Sequence, residues 1–214
     1  MRTPSTLTAR WLWILVAAAA AALLGFLVAQ QLDRESPALA SGTWLPQPRP
    51  IAAFELEDAS GRPYTRADLE RAPTLVYFGF THCPDVCPTT LAKLAQVRRQ
   101  RGLASLRVLF VSIDPQRDTP GVVGLYAHAF DPSFEGVTGK PEQMRSVAKN
   151  FAVAVNRVDL PGGDYTMDHS AVIFLVARAA IVAIFTPPFE VAALAADLRR
   201  AAPYVALPQE PHPT

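Results

Sequence analysis

The stretch FGFTHCPDVCP, residues 78–88, joins a predicted buried strand to a predicted helix. The strand, Thr74 to Phe80, is a continuous apolar run rich in aromatic and β-branched residues, which is typical of a strand covered on both faces. The helix is expected from about Pro88 to Arg101. Cys83 and Cys87 therefore lie at the carboxyl end of a central strand, where open α/β folds place their sites.

Strands and helices alternate along the rest of the chain. Strands are predicted at Ile51–Leu56, Leu106–Ile113, Phe134–Thr138, Ala152–Val158, Ala171–Val176 and Ile181–Phe185. A short helix is predicted to begin at Thr65, and longer helices are predicted at Pro120–Phe130, Pro141–Phe151 and Val191–Ala201. A loop is predicted at Asp159–Asp168. Alternation favours a mostly parallel sheet, and the last two strands are close enough to form an antiparallel hairpin. We therefore expect a thioredoxin-like α/β sandwich with a central mixed sheet.

An uncharged run of nineteen residues, Trp11 to Ala29, precedes this domain. As a helix it is about 28 Å long, close to the roughly 30 Å of a bilayer's hydrocarbon core. Arg2 and Arg10 precede the run, which favours one transmembrane helix with a cytoplasmic N terminus. The alternative is a signal peptide cleaved near Ala40, but the run is longer than the usual signal. Both interpretations place the domain outside the cytoplasm.

The chain is predicted to have four parts. These are a cytoplasmic N terminus and anchor (1–35, membrane segment 11–29), a proline-rich linker (36–50), the thioredoxin-like domain (51–202) and a disordered tail (203–214). The formal net charge of +1, without a basic block, argues against a nucleic-acid binder. Two cysteines exclude a multi-disulfide scaffold and a four-cysteine zinc site.

The two cysteines allow three kinds of chemistry. Residues four apart on a helix have Cα atoms about 6 Å apart, which permits a disulfide and also lets both sulfurs face one metal ion. A helix N terminus lowers the pKa of a thiol, so we expect thiolates near neutral pH. Taken alone, the segment leaves a structural disulfide, a redox pair and a metal site open.

A histidine shifts this balance towards a metal. Thioredoxin-type oxidoreductases separate their cysteines by two residues, whereas three separate Cys83 from Cys87. Such enzymes also usually carry a proline before the facing strand, where this chain has His169. Two thiolates and one imidazole form a soft set that selects Cu(I) and also holds Cu(II), so copper bound by these three residues is predicted. His82 as a second nitrogen donor, and Asp168 as a partner of the imidazole, stay open.

Three groups of residues resemble the Sco/SenC family of copper-binding proteins that help assemble cytochrome c oxidase. They are Tyr77–Pro88, Ser112–Pro120, and Gly162–Tyr165 together with Asp168–Ser170. The resemblance covers about Ile51 to Ala201 and implies a thioredoxin-like fold, a membrane anchor and copper ligands at Cys83, Cys87 and His169. From the residues alone, Asp114–Pro120 is expected only to end a strand and cap a helix. One departure is Ala177–Ala180, where family members often have an Asp-Gly turn.

The resemblance also implies a function. It is that of a metallochaperone, not an enzyme, which passes copper by ligand exchange to the binuclear copper centre of cytochrome c oxidase subunit II. Another periplasmic copper chaperone would be the donor. The alternative is a thiol–disulfide oxidoreductase that keeps the cysteines of that centre reduced. A peroxidase would need an activating arginine near the nucleophile, for which no clear candidate is evident. The expected location is the inner membrane, with the domain in the periplasm, or in the intermembrane space of a mitochondrion.

Overall fold

The computed structural model describes residues 6–32 and 36–205, in two compact units that divide between Ser36 and Pro37. The first unit contains α1, Thr6–Leu32, which includes the predicted anchor segment. Among the residues that the structure describes, no helix combines the length and the apolar character that crossing a membrane requires. Residues 1–5 and 33–35 of the predicted N-terminal part lie outside the described residues.

The second unit alternates strands and helices. Its strands are β1 Gly42–Pro50, β2 Glu55–Asp58, β3 Pro63–Thr65, β4 Thr74–Gly79, β5 Arg107–Ser112, β6 Glu135–Thr138, β7 Val155–Asp159, β8 Tyr165–His169, β9 Ile173–Ala177 and β10 Ala180–Phe185. Its helices are a 3-10 helix at Arg66–Glu70, then α2 Val86–Arg98, α3 Pro120–Phe130, α4 Pro141–Phe151 and α5 Val191–Val205.

The strands form a mixed sheet with the order β1-β10-β9-β4-β5-β6-β2-β3. The central strand β4 pairs in parallel with β5 and antiparallel with β9. Every residue of β4 is buried, as its uninterrupted apolar sequence predicts. The expected mixed sheet is confirmed, and β7 and β8 form a separate two-stranded hairpin.

Aromatic packing fixes β4 between its neighbours. Phe78 of β4 lies 5.1 Å from Phe151 of α4 and 6.2 Å from Phe174 of β9, measured between ring centroids. Aromatic pairs at these distances contribute about 0.5–1.5 kcal/mol each beyond the burial of their apolar surface. These contacts stabilise the strand that leads into the loop at residues 80–85, which we call the cysteine loop.

The prediction of a proline-rich linker at 36–50 is wrong from Gly42 onward. Gly42–Pro50 form β1, which pairs antiparallel with β10 and shifts register between Trp44 and Arg49. β1 is an edge strand, and an edge strand tolerates proline where the missing N–H would face solvent. The same prolines would suit an extended tether, so composition alone does not separate the two structures.

Several other boundaries differ from the prediction. Tyr165–Asp168 of the predicted loop at 159–168 belong to β8, and the strand predicted at 51–56 begins only at Glu55. The last helix continues through Pro203 to Val205, so the predicted tail begins too early, and its remainder, 206–214, lies outside the described residues. The expected hairpin of β9 and β10 forms, with Arg178 and Ala179 at φ values of 51° and 53°.

A buried carboxylate ties the start of this unit to α5. Asp197, fully buried, accepts hydrogen bonds from the amides of Ala40 and Ser41, at 2.8 and 2.7 Å, and from the Ser41 hydroxyl. Arg200 pairs with the same carboxylate at 2.7 Å. Burial alone would raise the pKa of Asp197, but these donors hold it below its ordinary value. The charged carboxylate therefore fixes the chain just before β1.

We expect Asp197→Asn to lower the free energy of unfolding by about 2 kcal/mol, because the amide presents N–H groups to donors. A lowered folded-state pKa stabilises the fold above the unfolded value of about 3.9, and this contribution is lost as pH falls through the folded pKa. Urea titrations of the purified chain should show the full difference at pH 7 and a smaller one in acid. Asp159→Asn, at an exposed position, is the control. Equal stability of Asp197→Asn and the parent at pH 7 would contradict this role.

Candidate metal centre

The two cysteines lie on either side of the start of α2. Cys83 is in the loop before the helix and is partly exposed, whereas Cys87 is in the first turn and fully buried. The backbone N–H of Cys87 points to the sulfur of Cys83 at 3.4 Å. Both are free thiols, so the disulfide that the spacing allows is not formed in this structure.

The sulfur of Cys87 fills a space that β4 leaves open. A Cβ atom added to Gly79 would lie 2.8 Å from this sulfur and 2.7 Å from the Phe110 ring, closer than packed atoms approach. The hydroxyl of Tyr77, two residues earlier on β4, donates to the same sulfur at 3.7 Å. The absence of a side chain at Gly79 thus creates the position of the buried thiol.

The expectation of a thiolate at neutral pH is wrong for Cys87. Burial raises the pKa of its thiol to about 12, since the loss of hydration exceeds any stabilisation by the helix N terminus. Cys87 is therefore protonated at neutral pH. A metal ion that binds this sulfur must displace the proton, because the thiolate is the metal ligand.

His169, the last residue of β8, faces this thiol. Its Nε2 atom lies 3.8 Å from the sulfur of Cys87. Its Nδ1 atom lies 3.2 Å from the carbonyl oxygen of Ser170, which only accepts hydrogen bonds, so Nδ1 carries the proton. Burial also lowers the pKa of His169, which keeps the ring neutral. The lone pair of Nε2 is therefore directed towards Cys87.

The spacing of these two groups suits one metal ion. A sulfur about 2.3 Å and a nitrogen about 2.0 Å from an ion, at a trigonal angle, lie about 3.7 Å apart. Cys83 lies beside Cys87 as the third predicted ligand. Among the residues that the structure describes, however, no three His, Cys, Asp or Glu side chains already stand in a metal-binding arrangement. The three-ligand set therefore stays a prediction.

His82 and Asp168 are the two residues whose roles the sequence leaves open. The Nδ1 atom of His82 lies 3.7 Å from the carboxylate of Asp118, and its side chain is more than half exposed. Asp168 is exposed on the outer part of the hairpin, opposite Asn156, and the Ser170 carbonyl holds the imidazole of His169. The structure thus favours neither His82 as a ligand nor Asp168 as the partner of the imidazole.

The loop at Asp114–Thr119 does more than end β5 and begin α3. The carboxylate of Asp118 is buried and accepts hydrogen bonds from the amide and hydroxyl of Thr81 and from the hydroxyl of Ser112. Thr81 stands two residues before Cys83, so this carboxylate fixes the cysteine loop. Sequence reasoning missed this role. The available signal was two aspartates, Asp114 and Asp118, in the short segment that follows a buried apolar strand.

Fold and site together define a thioredoxin-like domain with a thiol–imidazole site. The chain belongs to the SCO1/SenC family, whose sequence model matches residues 45–203. It is 41% identical over 128 residues to the mitochondrial SCO2 homologue of Bos taurus, and 39% over 127 residues to the mitochondrial SCO1 homologue 1 of Arabidopsis thaliana. These matches cover 58% of this chain but only 48% and 38% of the two relatives, so the chain spans less than half of each.

Solved structures agree with the fold. The copper-bound ScoI of Bradyrhizobium japonicum has a TM-score of 0.64 and 39% identity, covering 71% of this chain and 98% of that one. The apo Sco1 of Thermus thermophilus has a TM-score of 0.68 and 36% identity, covering 79% and 98%. The thioredoxin-like fold with a central mixed sheet is thereby confirmed, and homologous proteins of this family bind copper.

We expect iodoacetamide to modify Cys83 at least tenfold faster than Cys87 at pH 7.5. Cys83 is partly exposed, whereas Cys87 is buried and has a thiolate fraction on the order of 1 in 10,000 or less. Peptide mapping by mass spectrometry over time gives both rates, and the urea-unfolded chain, where both should react alike, is the control. Modification of Cys87 as fast as Cys83 in the folded chain would contradict the buried-thiol description.

Proposed function

We propose that the chain is a copper metallochaperone that carries one copper ion on Cys83, Cys87 and His169. The observation that supports this most directly is the contact of 3.8 Å between the Cys87 sulfur and the unprotonated Nε2 of His169. Two sulfurs and an imidazole nitrogen form the soft ligand set that copper prefers. The copper-bound ScoI of Bradyrhizobium japonicum, a protein of the same family, supports copper as the cargo.

The unequal exposure of the ligands suits delivery. Cys83 is the accessible sulfur, so it is the first to meet an incoming ion and the first that a partner's thiolate replaces. Cys87 and His169 hold the ion from the buried side, and Cys87 releases its proton to water when the metal–sulfur bond forms. We propose the binuclear copper centre of cytochrome c oxidase subunit II as the acceptor. A second copper chaperone in the same compartment would be the donor.

The alternative function is reduction of the acceptor's cysteines. It is supported by the two free thiols, because Cys83 is partly exposed and is therefore able to attack a disulfide. The buried, protonated state of Cys87 argues against rapid turnover, because the resolving sulfur must also become a thiolate. Delivery by ligand exchange needs no such cycle.

The purified chain, titrated with Cu(I) against a chelator of known affinity, should bind one equivalent. His169→Ala should raise the dissociation constant at least tenfold, since one of three ligands is lost, while the mid-point potential of the two thiols changes little. His128→Ala, at an exposed position of α3, is the matched control. Binding of Cu(I) by His169→Ala as tightly as by the parent would contradict the proposed site.

The same preparation separates delivery from reduction. Delivery predicts that the Cu(I)-loaded chain metallates the reduced copper domain of subunit II. Reduction predicts that the copper-free chain rapidly reduces the oxidised form of that domain, and that the Cu(I)-loaded chain transfers no copper to the reduced form. The second pattern would replace the metallochaperone by the oxidoreductase.

We also propose that the run Trp11–Ala29 anchors the chain in the inner membrane, or in its mitochondrial counterpart. The domain would then face the periplasm or the intermembrane space. The support is the uncharged sequence and the position of Arg2 and Arg10 before it. Full-length protein should stay with the membranes after an alkaline carbonate wash, whereas a variant without residues 1–35 should be released. Release of the full chain, or its appearance in a form shortened near Ala40, would contradict the anchor.

A further inference from the structure

The hairpin that carries His169 is held to the domain by side chains. In the part of the chain that the structure describes, β7 and β8 pair with each other and not with the eight-stranded sheet. No ladder of backbone hydrogen bonds therefore fixes the hairpin against β4 and α2, which carry the cysteines. The approach of the imidazole to Cys87 depends on other contacts.

One group of contacts holds the hairpin at Tyr165, the first residue of β8. Tyr165 donates its hydroxyl to the carboxylate of Asp114 at 2.8 Å, and Arg117 Nε donates to the same carboxylate at 2.6 Å. The Nη1 atom of Arg117 also donates to the backbone carbonyl of Tyr165 at 2.9 Å. We call Asp114, Arg117 and Tyr165 the hairpin clamp.

Stacking adds to the hydrogen bonds of the hairpin clamp. The guanidinium carbon of Arg117 lies 3.7 Å from the centroid of the Tyr165 ring, and that of Arg157 lies 3.8 Å from it. The tyrosine ring is therefore in contact with two cations, an arrangement that the ring's negative faces favour. Arg157 belongs to β7 and is itself held by Asp159 and Gln116.

The ion pair of the hairpin clamp is largely shielded from solvent. Asp114 is 2% exposed and the Arg117 side chain 19% exposed, so solvent does little to screen or loosen their ion pair. Charge-assisted bonds from a planar guanidinium fix orientation as well as distance. Tyr165 is thus held in one position relative to the end of β5.

The position of Tyr165 constrains that of His169, because the two residues lie on one short strand that is paired along its length. The two residues are four apart on β8, about 13 Å at 3.3 Å per residue, and every residue between them pairs with β7. The loop that supplies Asp114 and Arg117 also supplies Asp118, which holds Thr81 in the cysteine loop. A single loop, residues 114–118, therefore fixes both the hairpin and the cysteine loop.

We propose that Arg117 and Tyr165 are positioning residues, which hold His169 at the distance from Cys87 that copper binding requires. This inference rests on the proposed function, since it concerns the same ion. Neither residue touches the ion. Their contribution to copper affinity passes entirely through the imidazole of His169.

A double-mutant cycle tests this route. Tyr165→Phe keeps the stacked ring and removes only the hydroxyl bond to Asp114, and Arg117→Lys keeps the charge and removes the planar fork. In the full chain, each should raise the Cu(I) dissociation constant about three- to tenfold. In the His169→Ala background the same substitutions should change it less than twofold. Tyr64→Phe, which removes a hydroxyl from Arg107 in β5, is the matched control and should leave Cu(I) affinity unchanged.

Spectroscopy supplies a second readout that a merely structural role would not move. In the Cu(II)-loaded chain, Tyr165→Phe should weaken the nitrogen hyperfine coupling in electron paramagnetic resonance, whereas Tyr64→Phe should not. Thermal unfolding checks that each variant is folded, and if Arg117→Lys is not, the Tyr165→Phe cycle decides alone.

Each outcome separates this inference from the proposed function. If the parent chain binds no copper, the proposed function fails. If the parent binds copper but Tyr165→Phe has no effect, or weakens binding equally with and without His169, the inference is overturned and the copper site stands. Weakening only when His169 is present supports the inference.

Discussion

The contact between the buried sulfur of Cys87 and the unprotonated Nε2 of His169 is the interaction on which the site depends. It brings together residues 82 positions apart, on α2 and β8. Burial keeps both groups in their neutral forms, because it penalises a charged thiolate as well as an imidazolium. A soft monovalent cation that replaces the thiol proton would leave the pair of Cys87 and His169 without net charge. The two donors therefore suit such an ion in a buried place.

Several features of the fold support this contact. Gly79 leaves space for the sulfur, and the side of the imidazole is lined by Tyr77 and Phe80, whose ring centroids lie 6.3 and 6.2 Å away. Asp118 holds the cysteine loop and the hairpin clamp holds β8. Cys83 remains the accessible member of the set. In the proposed function, this exposure would allow an ion to enter and leave by exchange of one sulfur at a time, while the buried pair would retain it.

The sequence predicts the centre of this structure well and its margins poorly. The runs that become β4 and β5 are mostly apolar because they are buried on both faces over most of their length, and that pattern is readable without coordinates. β1 and β8 are only partly buried and are rich in proline or polar residues, so nothing in their composition separates strand from loop. The spacing of Cys83 and Cys87 indicates soft-metal or thiol chemistry, but it does not carry the burial that raises the pKa of Cys87. The contact of Asp114 with Tyr165 joins residues 51 apart and becomes evident only in the fold.

X-ray absorption at the copper K-edge of the Cu(I)-loaded chain tests the central claim most directly, because it counts and identifies the atoms around the ion. The account predicts two sulfur neighbours and one nitrogen neighbour with the multiple-scattering pattern of an imidazole ring. Substitution of His169 by alanine should remove that pattern and leave both sulfurs. A first shell of sulfur alone in the parent chain, unchanged by that substitution, would contradict the account.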